Sequence, residues 1–327
     1  MSAMRANEIK SLLSREKREM TQNDDTSAAA MKPGFAGAIR RVAAALGVAA
    51  AIAVSGAGLS PALAAESVAP PPVSWSFAGP FGTYDRAQLQ RGFKIYREVC
   101  AGCHGLSRVA FRNLAEPGGP GFSEDQVKAL AAEYQIKDGP NDAGDYFERA
   151  GVASDRFPSP FPNEQAARAS NGGAYPPDFS LLAKARTYTR GFPQFVFDIF
   201  TQYQEQGPDL IHAILTGYEE PPEGVTLQPG QHYNKYFPGH LIAMPPPLSD
   251  GQVEFPKAED GRAVVPETVD QYARDVTAFM MWAAEPHLEA RKQLGFKVIL
   301  FLIVFAGLLY FTKKKIWAGS HGDERHA

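Results

Sequence analysis

Two cysteines occur in the 327 residues, and a histidine directly follows the second: Cys100-Ala101-Gly102-Cys103-His104. This C-x-x-C-H spacing is that of a c-type haem attachment. Thiols at i and i+3 reach the two vinyl groups along one porphyrin edge. Ala101 and Gly102 are small enough for the backbone to crowd against the macrocycle, and the imidazole of His104 turns onto the iron. A redox dithiol and half of a zinc site use similar residues. The first belongs to a βαβ setting and the second needs two more Cys or well-spaced His, and the sequence offers neither. Two cysteines this close cannot staple a fold, so structural disulfides are excluded.

Iron held by one histidine takes a sixth ligand or keeps an open face. Beyond residue 65, methionine occurs only as Met244, Met280 and Met281. Met280 and Met281 sit beside Phe279 and Trp282 in a helical pattern and read as core packing. Met244 lies in Ala243-Met244-Pro245-Pro246-Pro247-Leu248. Three prolines fix φ and donate no N–H, so the loop is stiff without secondary structure, which suits the holding of a weak thioether. The competing ligands are His212, His232, His240 and His287. His212 lies on an apolar helix as a packing residue, and His287 follows Pro286 near an apolar run. His240, close to Met244, is the main rival.

Helices must deliver these groups. Asp85 reads as the N-cap of a helix whose apolar positions Leu89, Phe93, Tyr96 and Cys100 form one face. Residues 113–180 are rich in Gly, Pro, Asn and Asp, with one short helical stretch at Glu124–Tyr134. Further helix patterns run through Phe195–Tyr203, Asp209–Leu215 and Pro266–Ala284, the last with Pro266 in its first turn. No strand alternation is evident. The first of these helices is expected to cross the last at Gly92, where a missing side chain permits close approach.

The two ends of the chain read as membrane targeting. Lys32, Arg40 and Arg41, the apolar Val42–Val54 and the A-x-A site Ala62-Leu63-Ala64 form a secretory signal, preceded by a polar segment of thirty residues. From Leu294 to Phe311 the chain is apolar apart from Lys297, and Lys313-Lys314-Lys315 close the run. Eighteen residues at ~1.5 Å each nearly match the ~30 Å hydrocarbon thickness. The lysines place this end in the cytoplasm and residues 66–290 outside it. Between the ends, residues 66–295 carry 20 Lys/Arg against 29 Asp/Glu. Such an acidic domain repels phosphates, which excludes a nucleic-acid partner and favours a basic one.

The sequence resembles the cytochrome c1 family. The resemblance rests on Trp75-Ser-Phe-Ala-Gly-Pro-Phe-Gly82, Leu89-Gln-Arg-Gly-Phe-Lys-Ile-Tyr96, Asn171-Gly-Gly-Ala-Tyr-Pro-Pro-Asp178 with Ala185-Arg186, and Leu215-Thr-Gly-Tyr-Glu-Glu-Pro-Pro222. It continues through His232-Tyr-Asn-Lys-Tyr-Phe-Pro-Gly239, Ala243-Met-Pro-Pro-Pro247 and Trp282-Ala-Ala-Glu-Pro286, and it covers residues 73–318. It implies the haem subunit of a quinol:cytochrome c oxidoreductase, carrying one covalent haem c. The implied partners are cytochrome b and a Rieske iron–sulfur protein, with cytochrome c as electron acceptor. It supports His104 and Met244 as axial ligands and suggests Arg186 as a propionate partner; the alternative for Arg186 is a surface salt bridge with Asp178 or Asp198. Residues 187–207 depart from compact relatives by their length.

The expected fold is mostly α: a cytochrome c-type haem domain with long loops and one C-terminal transmembrane helix. The expected division is 1–65 extension and signal, 66–290 periplasmic domain, 291–315 anchor and 316–327 cytoplasmic tail, in a bacterial inner membrane. The electron enters from the Rieske cluster and leaves to cytochrome c, with no catalytic site on this chain. A membrane-bound shuttle, an oxidase cytochrome subunit or a five-coordinate haem sensor or peroxidase are the alternatives.

Overall fold

Helix α1 (Arg86–Ile95) starts directly after its N-cap, Asp85. Asp85 has extended backbone angles, and its carboxylate accepts from the N–H groups of Ala87 and Gln88 at 2.9 and 3.2 Å. At the other end the helix widens into a π turn over Tyr96–Cys100, in which the Ala101 N–H bonds to the Tyr96 carbonyl at 2.8 Å. In the computed structural model, residues 68–318 are described, except Thr189, Gln202, Gln204 and 258–263. The signal segment and the C-terminal tail beyond 318 lie outside the described residues.

After α1 come a 3₁₀ turn at Phe111–Ala115 and α2 (Glu124–Ala132). Helix α2 opens on a capping box in which Ser123 and Gln126 each bond the other's backbone N–H. Next follow β1 (Gln135–Asp138), β2 (Phe147–Ala150), α3 (Glu164–Ser170), α4 (Leu182–Ala185), α5 (Gln194–Thr201) and α6 (Gln206–Thr216). The chain continues through β3 (His232–Tyr233), β4 (Leu241–Ile242), α7 (Val269–Ala284) and α8 (Leu288–Ala318). The mostly helical expectation holds.

Two details of that expectation are corrected. Helix α7 starts three residues later than Pro266, because Thr268 caps it through a side-chain oxygen that accepts from Gln271 N–H, and Pro266 has no such group. Strands do exist: β1 pairs with β2 and β3 with β4, both antiparallel. They are four and two residues long and lie mostly on the surface, too short to leave an alternating pattern. Arg149, bridging Asp138 at 2.5 Å and Asp155 at 2.6 Å, ties the first hairpin down.

Helices α1 and α7 cross with their backbones in contact. A Cβ on Gly92 would overlap the Asp275 carbonyl oxygen and lie 2.7 Å from Phe279 Cβ. Around this point Phe93 and Tyr96 pack on Phe279 with ring centroids 5.6 and 5.8 Å apart. Arg91 donates twice to the fully buried Asp275 carboxylate, at 2.7 and 3.0 Å, and Gln271 adds a third bond at 2.9 Å. Every residue of α7 from Asp275 to Ala283 is buried, so the helix has no solvent face along that stretch and runs through the centre of the core.

Helix α8 is the opposite case. Its apolar stretch is exposed along its length, with mean hydropathy 2.4 over eighteen residues, and it is the one described helix long and apolar enough to cross a membrane. Its first turns are fastened to the domain. Leu288 is buried, the Tyr84 N–H donates to Glu289 at 2.9 Å, and Lys292 Nζ donates to the carbonyls of Phe77 and Gly82 at 2.6 and 3.3 Å.

Replacing Gly92 by Ala tests the crossing. Ala favours a helix over Gly by about 1 kcal/mol, but overpacking against a backbone carbonyl that cannot turn away costs about 1–3 kcal/mol or more. The packing effect wins, so Gly92→Ala is expected to lower the midpoint of chemical unfolding. A variant as stable as the parent would show that the helices do not cross there.

Candidate haem site

The π turn ends α1 on Cys100, and the next residues curl back on it. The N–H groups of Cys103 and His104 both bond to the Cys100 carbonyl, at 3.1 and 2.9 Å. Both thiols are free, with Cys100 half-buried and Cys103 exposed. Burial, with Cys103 nearby, pushes the Cys100 thiol up to about 12, so it stays protonated at neutral pH. A Cβ on Gly102 would meet nothing within 4 Å, so this side of the turn is open. Beside Cys103 runs a cleft lined by Gly105, Pro160, Phe161, Tyr175 and Pro176.

His104 is buried, and its ring is set from several directions. Nδ1 lies 2.8 Å from the Pro177 carbonyl. A carbonyl only accepts, so the proton sits on Nδ1 and Nε2 carries the lone pair. Among the described residues no hydrogen bond engages Nε2. Burial holds the His104 pKa below its ordinary value, against the opposing pull of Pro177 and Asp178, which keeps the imidazole neutral. Phe179 stacks on the ring with centroids 4.3 Å apart, and Tyr96 Oη donates to the His104 carbonyl at 3.1 Å.

A segment distant in sequence, Pro177–Ser180, makes this arrangement. The Phe179 N–H bonds to the Gly105 carbonyl at 2.8 Å, Asp178 accepts from Ser107 N–H at 2.9 Å, and Ser180 Oγ accepts from Arg108 N–H at 3.0 Å. With the Pro177 bond, four contacts clamp His104–Arg108. Pro177 and Asp178 stand within the Asn171–Asp178 motif, where the sequence suggests Asp178 only as an ion-pair partner for Arg186. The available signal was an Asp two residues before a Ser, whose N–H its carboxylate accepts at 2.8 Å.

The other expected site residues come from separate segments. Met244 is half-buried on the loop after β4, and its carbonyl accepts from Tyr218 Oη at 3.1 Å. The segment before it is stitched to the end of α6 by Asn234, whose Nδ2 donates to Ile214 O at 2.7 Å and whose N–H donates to His240 O at 2.8 Å. His240 occupies a left-handed turn position with φ 60° and stacks on Tyr233, which accounts for this residue as part of the β3–β4 turn. His287 is exposed, and Met280 and Met281 are buried in the core as expected. Arg186 is exposed at the C-cap of α4. Neither expected ion pair forms: Asp178 accepts backbone N–H groups, and Asp198 pairs with Arg190 at 2.9 Å. Among the described residues, no hydrogen bond or ion pair joins Met244 or Arg186 to the His104 turn.

The donors present fit a porphyrin-bound iron. Among the described residues no group of three or more His, Cys, Asp or Glu could hold a metal ion, so a metal here must bring most of its own ligands. What the chain does offer is two unbridged thiols and one unclaimed imidazole nitrogen on a clamped turn with an open flank.

Such a turn on a helical scaffold has the donor set of a c-type cytochrome. Comparison with known proteins narrows the class. The sequence model of the Cytochrome C1 family matches residues 75–320, and the chain belongs to that family. It is 52% identical to the cytochrome c1 of Blastochloris viridis over 259 residues, covering 79% of this chain and 89% of that one. It is 47% identical to a potato protein named cytochrome c1-2, heme protein, mitochondrial, over 71% of this chain and 79% of the relative. A Bradyrhizobium diazoefficiens protein named cytochrome b/c1 is 68% identical over 253 residues, which span 77% of this chain but only 36% of that relative.

His212 provides a pH test of the non-ligand assignment. It is buried at the α6–α7 contact with Nε2 3.0 Å from Asp270, and burial pulls its pKa below 6.5 against the opposing effect of Asp270. Below pH 6.5 the unfolded chain binds a proton that the folded chain refuses, so stability falls on acidification. The unfolding midpoint of the parent should drop between pH 7.5 and 5.5, and His212→Gln should reduce that drop. An identical pH profile in both would remove His212 as its source.

Proposed function

We propose that the chain is a membrane-anchored electron carrier: the haem c subunit of a quinol:cytochrome c oxidoreductase, in which an electron passes from a Rieske iron–sulfur protein to a cytochrome c. The observation that carries this reading is the family match over 75–320, which includes the clamped turn with both thiols unbridged and His104 Nε2 unclaimed. The name of the Bradyrhizobium relative, which joins b and c1 in one polypeptide, supports cytochrome b as a neighbour.

A haem bound here supplies one-electron exchange between ferric and ferrous iron. The residues do the rest. Cys100 and Cys103 are the residues that would hold a haem covalently through their sulfur atoms. His104 presents Nε2 to the iron, and Pro177 fixes its tautomer and stiffens its ring. Met244 Sδ is assigned as the sixth ligand, on a loop whose prolines limit its freedom to swing away. Arg186, which makes no ion pair among the described residues, is assigned to a propionate carboxylate. The chain moves no proton and makes no bond beyond the thioethers.

The apolar length of α8 supports a single-pass placement. Residues 66–290 form the periplasmic domain, 291–315 cross the membrane once, and 316–327 face the cytoplasm. The lysines at 313–315 support this orientation.

Purifying the native membrane assembly and assaying inhibitor-sensitive quinol oxidation tests the reading. Loss of Rieske protein and cytochrome b from the preparation, with no quinol-dependent reduction of this chain, would overturn it. The attachment is tested separately. Cys100→Ala with Cys103→Ala should abolish haem staining on denaturing gels, and persistent covalent haem would defeat the assignment.

A thioether ligand favours ferrous iron relative to nitrogen ligands. Met244→His should therefore lower the reduction potential and remove the Met-to-iron absorption band. If Met244→Leu leaves both unchanged, another group ligates the iron, and His240 is the one to replace next.

A further inference from the structure

Helix α5, with Phe192 two residues before it, carries a cluster of exposed aromatic rings. Phe192, Phe195, Phe197 and Phe200 are exposed by 81, 53, 61 and 80%. At about 100° per residue, Phe195, Val196, Phe200 and Phe197 span an arc of about 200°, and Thr201, Gln194 and Asp198 take the remaining arc. The only charge within α5, Asp198, is paired with Arg190 at 2.9 Å. Burying the aromatic side would therefore strip no unpaired charge of water. Monomeric surfaces rarely carry such a patch without a use for it.

The position of α5 identifies what covers it. Upstream, Lys184 bonds at 2.6 Å to Glu285, three residues before α8 begins. Downstream, Tyr203 Oη donates to Asp209, which accepts from Trp75 Nε1 at 2.7 Å. Trp75 stacks on Phe77 at 5.3 Å, and the Phe77 carbonyl accepts from Lys292 on α8 at 2.6 Å. The segments flanking α5 are thus linked to Glu285, just before α8, and to Lys292 in its first turns, about 3 Å along the helix from the start of its apolar run at Leu294. At that level Phe81, exposed by 74%, packs edge-on against Phe296 of α8 at 5.7 Å.

We propose that α5 lies in the headgroup region of the bilayer that α8 crosses, with Phe192, Phe195, Phe197 and Phe200 inserted at the boundary with the acyl chains. Phe81 and Phe296 occupy the same boundary. The occupant of the aromatic side is phospholipid. Aromatic rings on an amphipathic helix are suited to that depth, and the flanks of this helix are linked to Glu285 and to the first turns of α8. The extra length of residues 187–207 then forms a second, peripheral membrane contact. This proposal rests on reading α8 as a membrane span.

Nitroxide labels test it in the full chain, reconstituted in phosphatidylcholine and phosphatidylglycerol vesicles. Cysteines are introduced singly as Phe197→Cys, Phe200→Cys, Val304→Cys within α8, and Asp142→Cys in the exposed β1–β2 connection. Accessibility to oxygen, which dissolves in lipid, is compared with accessibility to a water-soluble nickel chelate. Each reading is a difference from a reagent-free sample, which subtracts relaxation by haem iron, and the unsubstituted chain is the labelling blank. The oxygen-to-nickel ratio at 197 and 200 should exceed that at 142 and fall below that at 304. A ratio equal to that at 142 means that α5 faces water and overturns the proposal. Loss of accessibility to both reagents means that protein covers it, which also overturns it. A water-like ratio at 304 would instead reject the span, and the proposal with it. Phe197 and Phe200 are exposed, so their replacement leaves the core intact.

Discussion

The contact between the α1 and α7 backbones at Gly92 is the constraint on which the domain depends. It lets two helices approach closely without intervening side chains, which brings Phe93 and Tyr96 onto Phe279 and the Arg91 guanidinium onto the buried Asp275. Breaking one partner of such a buried pair leaves an uncompensated charge, typically at about 3–5 kcal/mol. Because α1 runs directly into Cys100, fixing it against α7 also fixes where the haem-binding turn begins. The π turn at its end is the local adjustment between the helix and that turn, at a place where such bulges often mark function.

What the sequence disclosed and what it concealed divide by range. Asp85 as a cap, Gly92 as a crossing point and C-x-x-C-H as chemistry are each written in a few adjacent residues whose side chains act locally or are conspicuously missing. The clamp on His104 could not be read this way. Its bonds reach more than seventy residues along the chain, from Pro177–Ser180, and two of the four come from backbone atoms of that segment, which carry no residue-type signal. The short hairpins were concealed for another reason: Gln135–Asp138 and Phe147–Ala150 are mostly exposed and charged, and an arginine bridging two aspartates holds them where a buried stripe would otherwise be needed. Thr268 was passed over for Pro266 because a proline suits a first turn, but the side-chain acceptor decided where α7 starts.

The ligand question shows the same limit from the chemical side. Elimination among three methionines and four histidines was available from composition and local pattern alone. Packing then accounted for most of the rivals: Met280 and Met281 are in the core, His212 faces Asp270, and His240 belongs to a tight turn. For Arg186 the alternative ion pairs do not form: Asp178 accepts backbone N–H groups and Asp198 pairs with Arg190.

The fastening of α8 has a mechanical consequence. Only Glu285, Pro286 and His287 separate it from the central helix of the domain, and bonds from Lys292 and Glu289 reach back to Phe77, Gly82 and Tyr84. An anchor on a slack tether would let its cargo swivel and tumble. This one works as a mast stepped into the hull, so the domain keeps a single heading above the bilayer. The cleft beside Cys103 then points in a direction set once, at insertion, and any reorientation needed for electron exchange falls to whichever molecule comes to meet it.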